Sequence, residues 1–132
     1  MNSIAIFLRA LQLYSHNAHN LAKGPTFFED HEYFGELYAA YESAYDSIVE
    51  RMIGEGETPD LGDISVKAAG ISNGKTIKDN ENSFKTILAT ETRLREEIKK
   101  EVSNASDGTQ NLLQGLADDS LNRCYKIKQR LG

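Results

Sequence analysis

Hydrophobic positions recur along most of the chain at alternating steps of three and four residues, which is the period of an amphipathic α-helix. Four segments carry this pattern: residues 4–22, 27–53, 80–102 and 107–131. No segment alternates hydrophobic and polar residues with the two-residue period of a strand. The pattern therefore predicts an all-α fold. The positions predicted to face inward are Ile4, Phe7, Leu8, Leu11, Ser15, Ala18 and Ala22 in the first helix, Phe34, Tyr38, Tyr41, Tyr45, Ile48 and Met52 in the second, Phe84, Ile87, Leu88, Glu91, Leu94, Ile98 and Val102 in the third, and Leu113, Leu116, Ala117, Ser120, Cys124, Ile127 and Leu131 in the fourth.

The links between these helices differ in length. Short links after the first and third helices, the former through Gly24 and Pro25, predict two antiparallel hairpins. The middle link is long enough to cross the bundle from end to end, since ~25 helical residues span ~37 Å. Asp63 is predicted to cap a short helix over residues 64–69. Two hairpins joined by one long crossover are typical of a ferritin-like four-helix bundle. The crossover, residues 55–76, is punctuated by Gly56, Pro59, Gly62, Gly70 and Gly74.

Composition narrows the class of protein. A chain of 132 residues is the size of one domain, which we expect to span residues 1–132. The net charge of −5 argues against a protein that mainly neutralises nucleic-acid phosphates. The single cysteine, Cys124, excludes multi-cysteine metal sites and an internal disulfide framework, and we expect it to pack as a small apolar residue. The apolar stretch at residues 4–8 is too short for a signal peptide or membrane span, so a cytoplasmic location is expected.

Charged residues and histidines are spread unevenly along the first hairpin. The second helix carries seven acids against one base, and all three histidines, His16, His19 and His31, cluster around the hairpin. Imidazole mixed with carboxylate suits iron, manganese or zinc better than calcium. These residues also have an interpretation without a metal. The acids Glu29, Asp30 and Glu32 would form a solvated face favoured by the helix dipole. His16 would lie at the edge of the apolar stripe or in solvent, and His19 would be a core residue whose hydrogen bonds are satisfied.

The spacing of residues along the helices indicates which side chains could form a metal site. His19 lies four residues before the break at Lys23 and His31 four residues after Phe27, so the hairpin places the two imidazoles at similar height. Asp46 and Glu50 share one face of the second helix at a spacing of four residues. That face overlaps the face of His31, yet the fifteen residues between His31 and Asp46 separate them by about 22 Å. One chain cannot bring these four residues to one metal.

Two chains can bring them together. If the second helix packs antiparallel against its own copy across a two-fold axis, His31 meets the other chain's Asp46 or Glu50 when the axis lies near position 38.5 or 40.5. Ala39 and Ala40 sit there and allow close approach. Bundle-core di-iron sites use Glu-x-x-His pairs, and this sequence contains none. Any metal site is therefore predicted between chains.

These residues resemble a family, the DNA-binding proteins from starved cells (Dps, or mini-ferritins). The resemblance runs through residues 19–32, where His19, Gly24, Phe27, His31 and Glu32 match the family pattern, and through the Asp-x-x-x-Glu-Arg run at residues 46–51. It implies a homo-oligomer, a hollow dodecamer built from two-fold dimers, that oxidises Fe(II) with hydrogen peroxide and stores ferric iron. By the same resemblance the chain is a ferroxidase whose iron ligands are His19 and His31 of one chain and Asp46 and Glu50 of its neighbour.

The sequence departs from the family pattern in three places. Gly35 stands where the family has an aspartate, and Glu36, one residue further and turned by ~100°, is the candidate replacement. Asn20 replaces a tryptophan. No lysine-rich segment precedes the first helix in this sequence, so direct DNA binding is not expected. An alternative function follows from these departures, a Dps-like cage or interaction protein with a degenerate site and no oxidation activity.

Two weaker signals lie in the last helix. Asp107, Asp118 and Asp119 are candidates for an acidic three-fold pore that draws Fe(II) inward, although capping and solvation explain them equally well. The closing cations, Arg123, Lys126, Lys128 and Arg130, are explained by the helix dipole more readily than by DNA contact.

Overall fold

Five α-helices account for most of the residues that the structure describes. A computed structural model describes residues 1–73 and 77–132. Within these ranges there is no strand, so the all-α prediction is confirmed. The helices are α1 (Asn2–Leu21), α2 (Phe27–Gly54), α3 (Leu61–Asn73), α4 (Asn80–Val102) and α5 (Asp107–Leu131).

The four long helices form a bundle of two antiparallel hairpins, as predicted. Near the open end of the first hairpin the Arg9 guanidinium of α1 lies 3.9 Å from the ring centroid of Tyr45 on α2. The two hairpins pack so that α1 is antiparallel to α4, and the Arg93 guanidinium lies 4.8 Å from the Phe7 ring. The crossover carries α3, which packs along α1. This is the ferritin-like bundle with a long connection between its second and third long helices.

All five helices contribute to one cluster of buried side chains, with Ile64 as the contribution of α3. Most predicted inward positions are buried, including Ser15 and Glu91. On α2 the buried stripe passes through Leu37, and Tyr38 is only half-buried. The inward-facing residue of this turn is therefore Leu37, one residue before the predicted Tyr38. The Tyr38 ring faces the histidines instead.

The crossover helix differs from its prediction at both ends. It begins at Leu61, because the Asp60 side chain accepts a hydrogen bond from the Asp63 amide at 3.0 Å and caps the first turn. The expectation that Asp63 is the cap is wrong. Asp63 instead pairs with Lys67 at 2.9 Å on the exposed face. Gly70 lies inside the helix, since the helix runs to Asn73, and the predicted break at Gly74 falls outside the described residues.

Asp30 and Arg130 form an ion pair that fixes the start of α2. The Asp30 carboxylate is 1% exposed and accepts two hydrogen bonds from the Arg130 guanidinium, at 2.8 and 2.7 Å. Thr26 donates to the same carboxylate at 2.7 Å and Asn80 at 2.9 Å. Burial raises the pKa of Asp30, but these hydrogen bonds outweigh it and leave the pKa below its ordinary value. The interpretation of Asp30 as part of a solvated face is therefore wrong, and Arg130 does more than complement a helix dipole.

Glu91 and Arg123 form a second buried ion pair, between α4 and α5. The Glu91 side chain has no exposed surface and accepts from Arg123 Nε at 2.7 Å and Nη2 at 3.0 Å. Arg123 also lies over the ring of Tyr41, 4.8 Å from its centroid. Cys124 is buried as expected, although its Sγ accepts from the Arg95 guanidinium at 3.1 Å. No helix among the described residues is long and apolar enough to span a membrane.

Candidate metal centre

His19 and His31 lie face to face across the first hairpin. Their ring centroids are 3.7 Å apart and their planes are inclined by 19°. The rings lie at the same height of the hairpin, as predicted from the positions of His19, four residues before Lys23, and His31, four residues after Phe27. Both side chains are partly exposed, so their outer edges reach the surface of the bundle.

Two reciprocal hydrogen bonds hold the pair. His19 Nδ1 lies 2.7 Å from the carbonyl oxygen of His31, and His31 Nδ1 lies 2.7 Å from the carbonyl oxygen of His19. A carbonyl oxygen only accepts, so each Nδ1 carries the proton and donates it. In a neutral imidazole the lone pair then resides on Nε2. Metal-ligating histidines are oriented in this way, with one ring nitrogen bound to a backbone carbonyl and the other free for the ion.

The end of α1 contributes to this arrangement. The last four carbonyl groups of a helix lack donors within the helix, and His19 belongs to the final turn of α1. The Nδ1–H group of His31 satisfies its carbonyl. The carboxyl end of a helix also carries a partial negative charge that favours a nearby cation. Local backbone chemistry thus positions both imidazoles.

Aromatic rings and one glycine surround the pair. Phe27 stacks on the outer side of His31 with centroids 4.9 Å apart. Tyr38 meets His19 edge-on at 5.4 Å and stacks on the exposed His16 at 4.2 Å. A Cβ atom on Gly35 would lie 3.2 Å from His19 Nδ1. The outer face of the His31 ring is therefore covered by Phe27, and the His19 ring is flanked by Tyr38 and by α2 at Gly35.

The candidate carboxylates lie far from the histidines in one chain. Asp46 and Glu50 are exposed on α2, about 22 Å and about 28 Å from His31 along the helix axis at ~1.5 Å per residue. Glu36 is also exposed, on α2 one residue beyond Gly35. In the part of the chain that the structure describes, no three histidine, cysteine or acidic side chains converge as a metal site. His19 and His31 are the members of the predicted site that one chain brings together.

The C-terminal end of α2, which carries Asp46 and Glu50, is held to the start of α5 by hydrogen bonds. The Glu55 carboxylate accepts hydrogen bonds from the hydroxyl groups of Ser106, at 2.9 Å, and Thr109. These bonds lower the pKa of Glu55. Arg51, which follows Glu50, reaches the Thr109 hydroxyl at 3.4 Å. Because the Asp30 network holds the other end, α2 presents its histidine and its two carboxylates on one rigid helix.

The candidate pore residues are all exposed on α5. Asp107 lies in the first turn, and Ser106 occupies the cap position before it. Asp118 is eleven residues further along, a distance of about 16 Å. A single chain therefore does not bring Asp107 together with Asp118 and Asp119, and their role in a pore stays a prediction.

Sequence reasoning missed two contributors to this region. Asp30 precedes the buried Phe34 by four residues, so its position on the apolar stripe was the available signal of burial. The family pattern marks Gly35 only as the replacement of a carboxylate, whereas in the structure it lies against the His19 ring. A glycine in the middle of a helix, where it has no role in a turn, is the sequence signal of such a close approach.

Comparison with known proteins defines the class. A family model described as ferritin-like domain matches residues 2–131, so the chain belongs to the ferritin-like family. A DNA protection during starvation protein from Helicobacter pylori (strain J99 / ATCC 700824) is 27% identical over 128 residues, covering 95% of this chain and 85% of that protein. Together these matches confirm the resemblance noted above, and the chain is a Dps-like member of the ferritin-like family.

Proposed function

We infer that this chain is the subunit of a mini-ferritin. It binds Fe(II) at sites shared between two chains, oxidises it with hydrogen peroxide and retains the ferric product in a hollow oligomer, a dodecamer by analogy with the Dps family. The observation that carries this proposal is the reciprocal hydrogen bonding of His19 and His31, which leaves both Nε2 atoms free. By removing iron and peroxide together, such a protein protects DNA chemically without binding it.

The exposed face of α2 supports a two-fold site. Small or acidic side chains dominate the stretch between the histidine and the carboxylates, and Ala39 and Ala40 are both exposed near its midpoint. Antiparallel pairing about that midpoint brings Asp46 and Glu50 of one chain to the histidine pair of the other. The pairing creates two equivalent sites in each dimer. Each site then has two nitrogen and two carboxylate ligands, a set that suits Fe(II).

The stacking of the imidazoles supports two cations at each site. An imidazole lone pair lies in the plane of its ring, and metal–nitrogen bonds are about 2.0–2.1 Å long. One ion bound to both Nε2 atoms would have to lie between two nearly parallel planes with centroids 3.7 Å apart, out of line with both lone pairs. Each ring therefore takes its own ion, and Asp46 and Glu50 complete the pair.

Two ions balance the reaction with peroxide. Each Fe(II) gives up one electron, and the O–O bond of one peroxide takes both and breaks. Two protons then complete two water molecules, so no hydroxyl radical leaves the site. The protein's part is to hold the ions close together through His19, His31 and the two carboxylates of the neighbouring chain.

Iron oxidation by variants tests these assignments. Fe(II) and peroxide added to the apoprotein should produce a ferric absorbance whose initial rate falls sharply in His31→Ala and in Glu50→Ala. The loss should exceed the ~10–100-fold that removal of an outer partner of a metal site causes. Light scattering on the same samples reports the mass of the oligomer before and after iron is added.

A matched control separates loss of ligands from general damage. Glu96→Ala removes an exposed carboxylate on α4, away from the proposed site, and should oxidise iron at the wild-type rate. Unchanged rates in His31→Ala and Glu50→Ala would contradict the site. An oligomer that assembles but does not oxidise iron would favour the alternative function, a cage or interaction protein with a degenerate site.

A further inference from the structure

Gly35 lies in the middle of α2, where its backbone does not require glycine. Its φ is not positive, and α2 continues unbroken through it. Glycine inside a helix is less favourable than alanine by ~1 kcal/mol. A reason for glycine here must therefore lie in its surroundings.

The His19 imidazole occupies the space that a side chain at position 35 would need. A Cβ atom would lie 3.2 Å from Nδ1 and 3.3 Å from Cε1 of that ring, and it would meet no other atom within 4 Å among the described residues beyond its chain neighbours and the α2 backbone. Gly115, inside α5, has open space at the same position, and a Cβ atom on Gly108 would meet only the end of the flexible Arg51 side chain, at 3.1 Å. Gly35 differs from both because its neighbour is an imidazole ring held by a hydrogen bond.

His19 cannot move away from Gly35 without weakening its hydrogen bond and its ring contacts. Its Nδ1–H group is bound at 2.7 Å to the carbonyl of His31, which belongs to the same helix as Gly35. Movement away from α2 lengthens this bond. The ring is also stacked at 3.7 Å on His31 and packed edge-on against Tyr38. A few tenths of an ångström of displacement therefore changes the contact, the hydrogen bond and the direction of the Nε2 lone pair together.

We propose that Gly35 is a positioning residue of the metal centre, and that the absence of its side chain allows His19 to pair with His31. The inference rests on the proposed function for the role of the imidazoles as ligands. It follows that position 35 supplies no ligand, and that an added side chain, even a carboxylate, weakens the site.

Titration with Co²⁺ alone, without an oxidant, measures the effect. The visible absorption of bound Co²⁺ reports ligation in the wild type, Gly35→Ala, Gly35→Asp and the control Gly115→Ala. We expect Gly35→Ala to bind about 10–100-fold more weakly, the usual effect of losing an orienting partner of a metal ligand. Gly35→Asp should bind no more tightly than the wild type, and Gly115→Ala should match it.

A crystal structure of each metal-free variant provides an independent measurement. In Gly35→Ala we expect the His19 ring to move off His31 and its bond to the His31 carbonyl to lengthen, while helix content is unchanged. Wild-type affinity in Gly35→Ala, tighter binding in Gly35→Asp, or an undisturbed histidine pair in either crystal structure would overturn the proposal. Failure of the wild type to bind Co²⁺ would instead contradict the proposed function, and the crystal structures would still test Gly35.

Discussion

At the scale of single residues, buried charge is concentrated where α2 begins. Asp30 binds Arg130, Thr26 and Asn80 at once, so every oxygen of a nearly inaccessible carboxylate has a donor. Asn80 also donates to the carbonyl of Lys23, at the loop between α1 and α2. The network therefore joins the loop of the histidine hairpin to α4 and α5. It stabilises the loop only while Asp30 is ionised.

Replacing Asp30 by asparagine should make the protein less stable in a pH-dependent way. Near neutral pH the substitution should cost about 2–3 kcal/mol, because hydrogen bonds to a charged group are lost. The pKa of Asp30 in the folded protein lies below its ordinary value of 3.8, so its contribution is present above that value. It is lost as the pH falls through the lower, folded pKa. The difference in melting temperature between wild type and Asp30→Asn should accordingly shrink in acid.

Thermal unfolding between pH 7 and pH 3 at one protein concentration measures this difference. Glu29→Gln is the control, since Glu29 is exposed in the same turn and its removal should have little effect. A gap between wild type and Asp30→Asn that stays constant or widens in acid would contradict the role given to the ionised carboxylate.

At the scale of secondary-structure elements, the hydrophobic period predicted the long helices closely. The predicted second helix, residues 27–53, is within one residue of α2 (Phe27–Gly54). The hydrophobic period does not identify the partners of polar residues on the apolar stripe. Glu91 was predicted to face inward, but its partner Arg123 lies 32 residues away and no local pattern connects them. Spacing identifies a buried position, whereas pairing depends on how the helices pack.

The Glu91–Arg123 pair should therefore be tested as a unit joining α4 and α5. Glu91→Leu alone should destabilise the protein by about 3–5 kcal/mol, because Arg123 loses its counter-charge inside the bundle. Glu91→Leu combined with Arg123→Met should be more stable than Glu91→Leu alone, since no unpaired charge remains. Thermal unfolding of the single and double variants gives the coupling, with the exposed Glu96→Leu as control. A double variant less stable than Glu91→Leu would contradict this account.

At the scale of the whole molecule, the sequence predicted the bundle but only part of the site. The stripes, the Gly24 break and the long crossover determine the topology, and His19 and His31 follow from their distances to the loop. The close contact between the His19 ring and Gly35 depends on how closely α1 approaches α2, and no period in the sequence encodes that distance. Asp46 and Glu50 can meet the histidines only in an assembly, so their role is a property of at least two chains.

That dependence on two chains can be tested by complementation. Suppose His31→Ala and Glu50→Ala chains, each inactive alone, are expressed together in equal amounts. In a mixed dimer one site combines both defects, while the other takes its histidines from the Glu50→Ala chain and its carboxylates from the His31→Ala chain, and is intact. Co-expression should restore roughly one quarter of the wild-type oxidation rate, because half of randomly formed dimers are mixed and each regains one of two sites.

The control is a chain that carries both substitutions. Expressed with the His31→Ala chain it should give no oxidation, because every pairing then lacks His31 at both sites. Measured ferric absorbance, together with equal recovery of both chains in the purified oligomer, decides the outcome. If the two single variants stay inactive together while assembling normally, the ligands do not come from different chains in the way proposed. Restored activity, by contrast, is possible only if the second helices of neighbouring chains complete each other's sites.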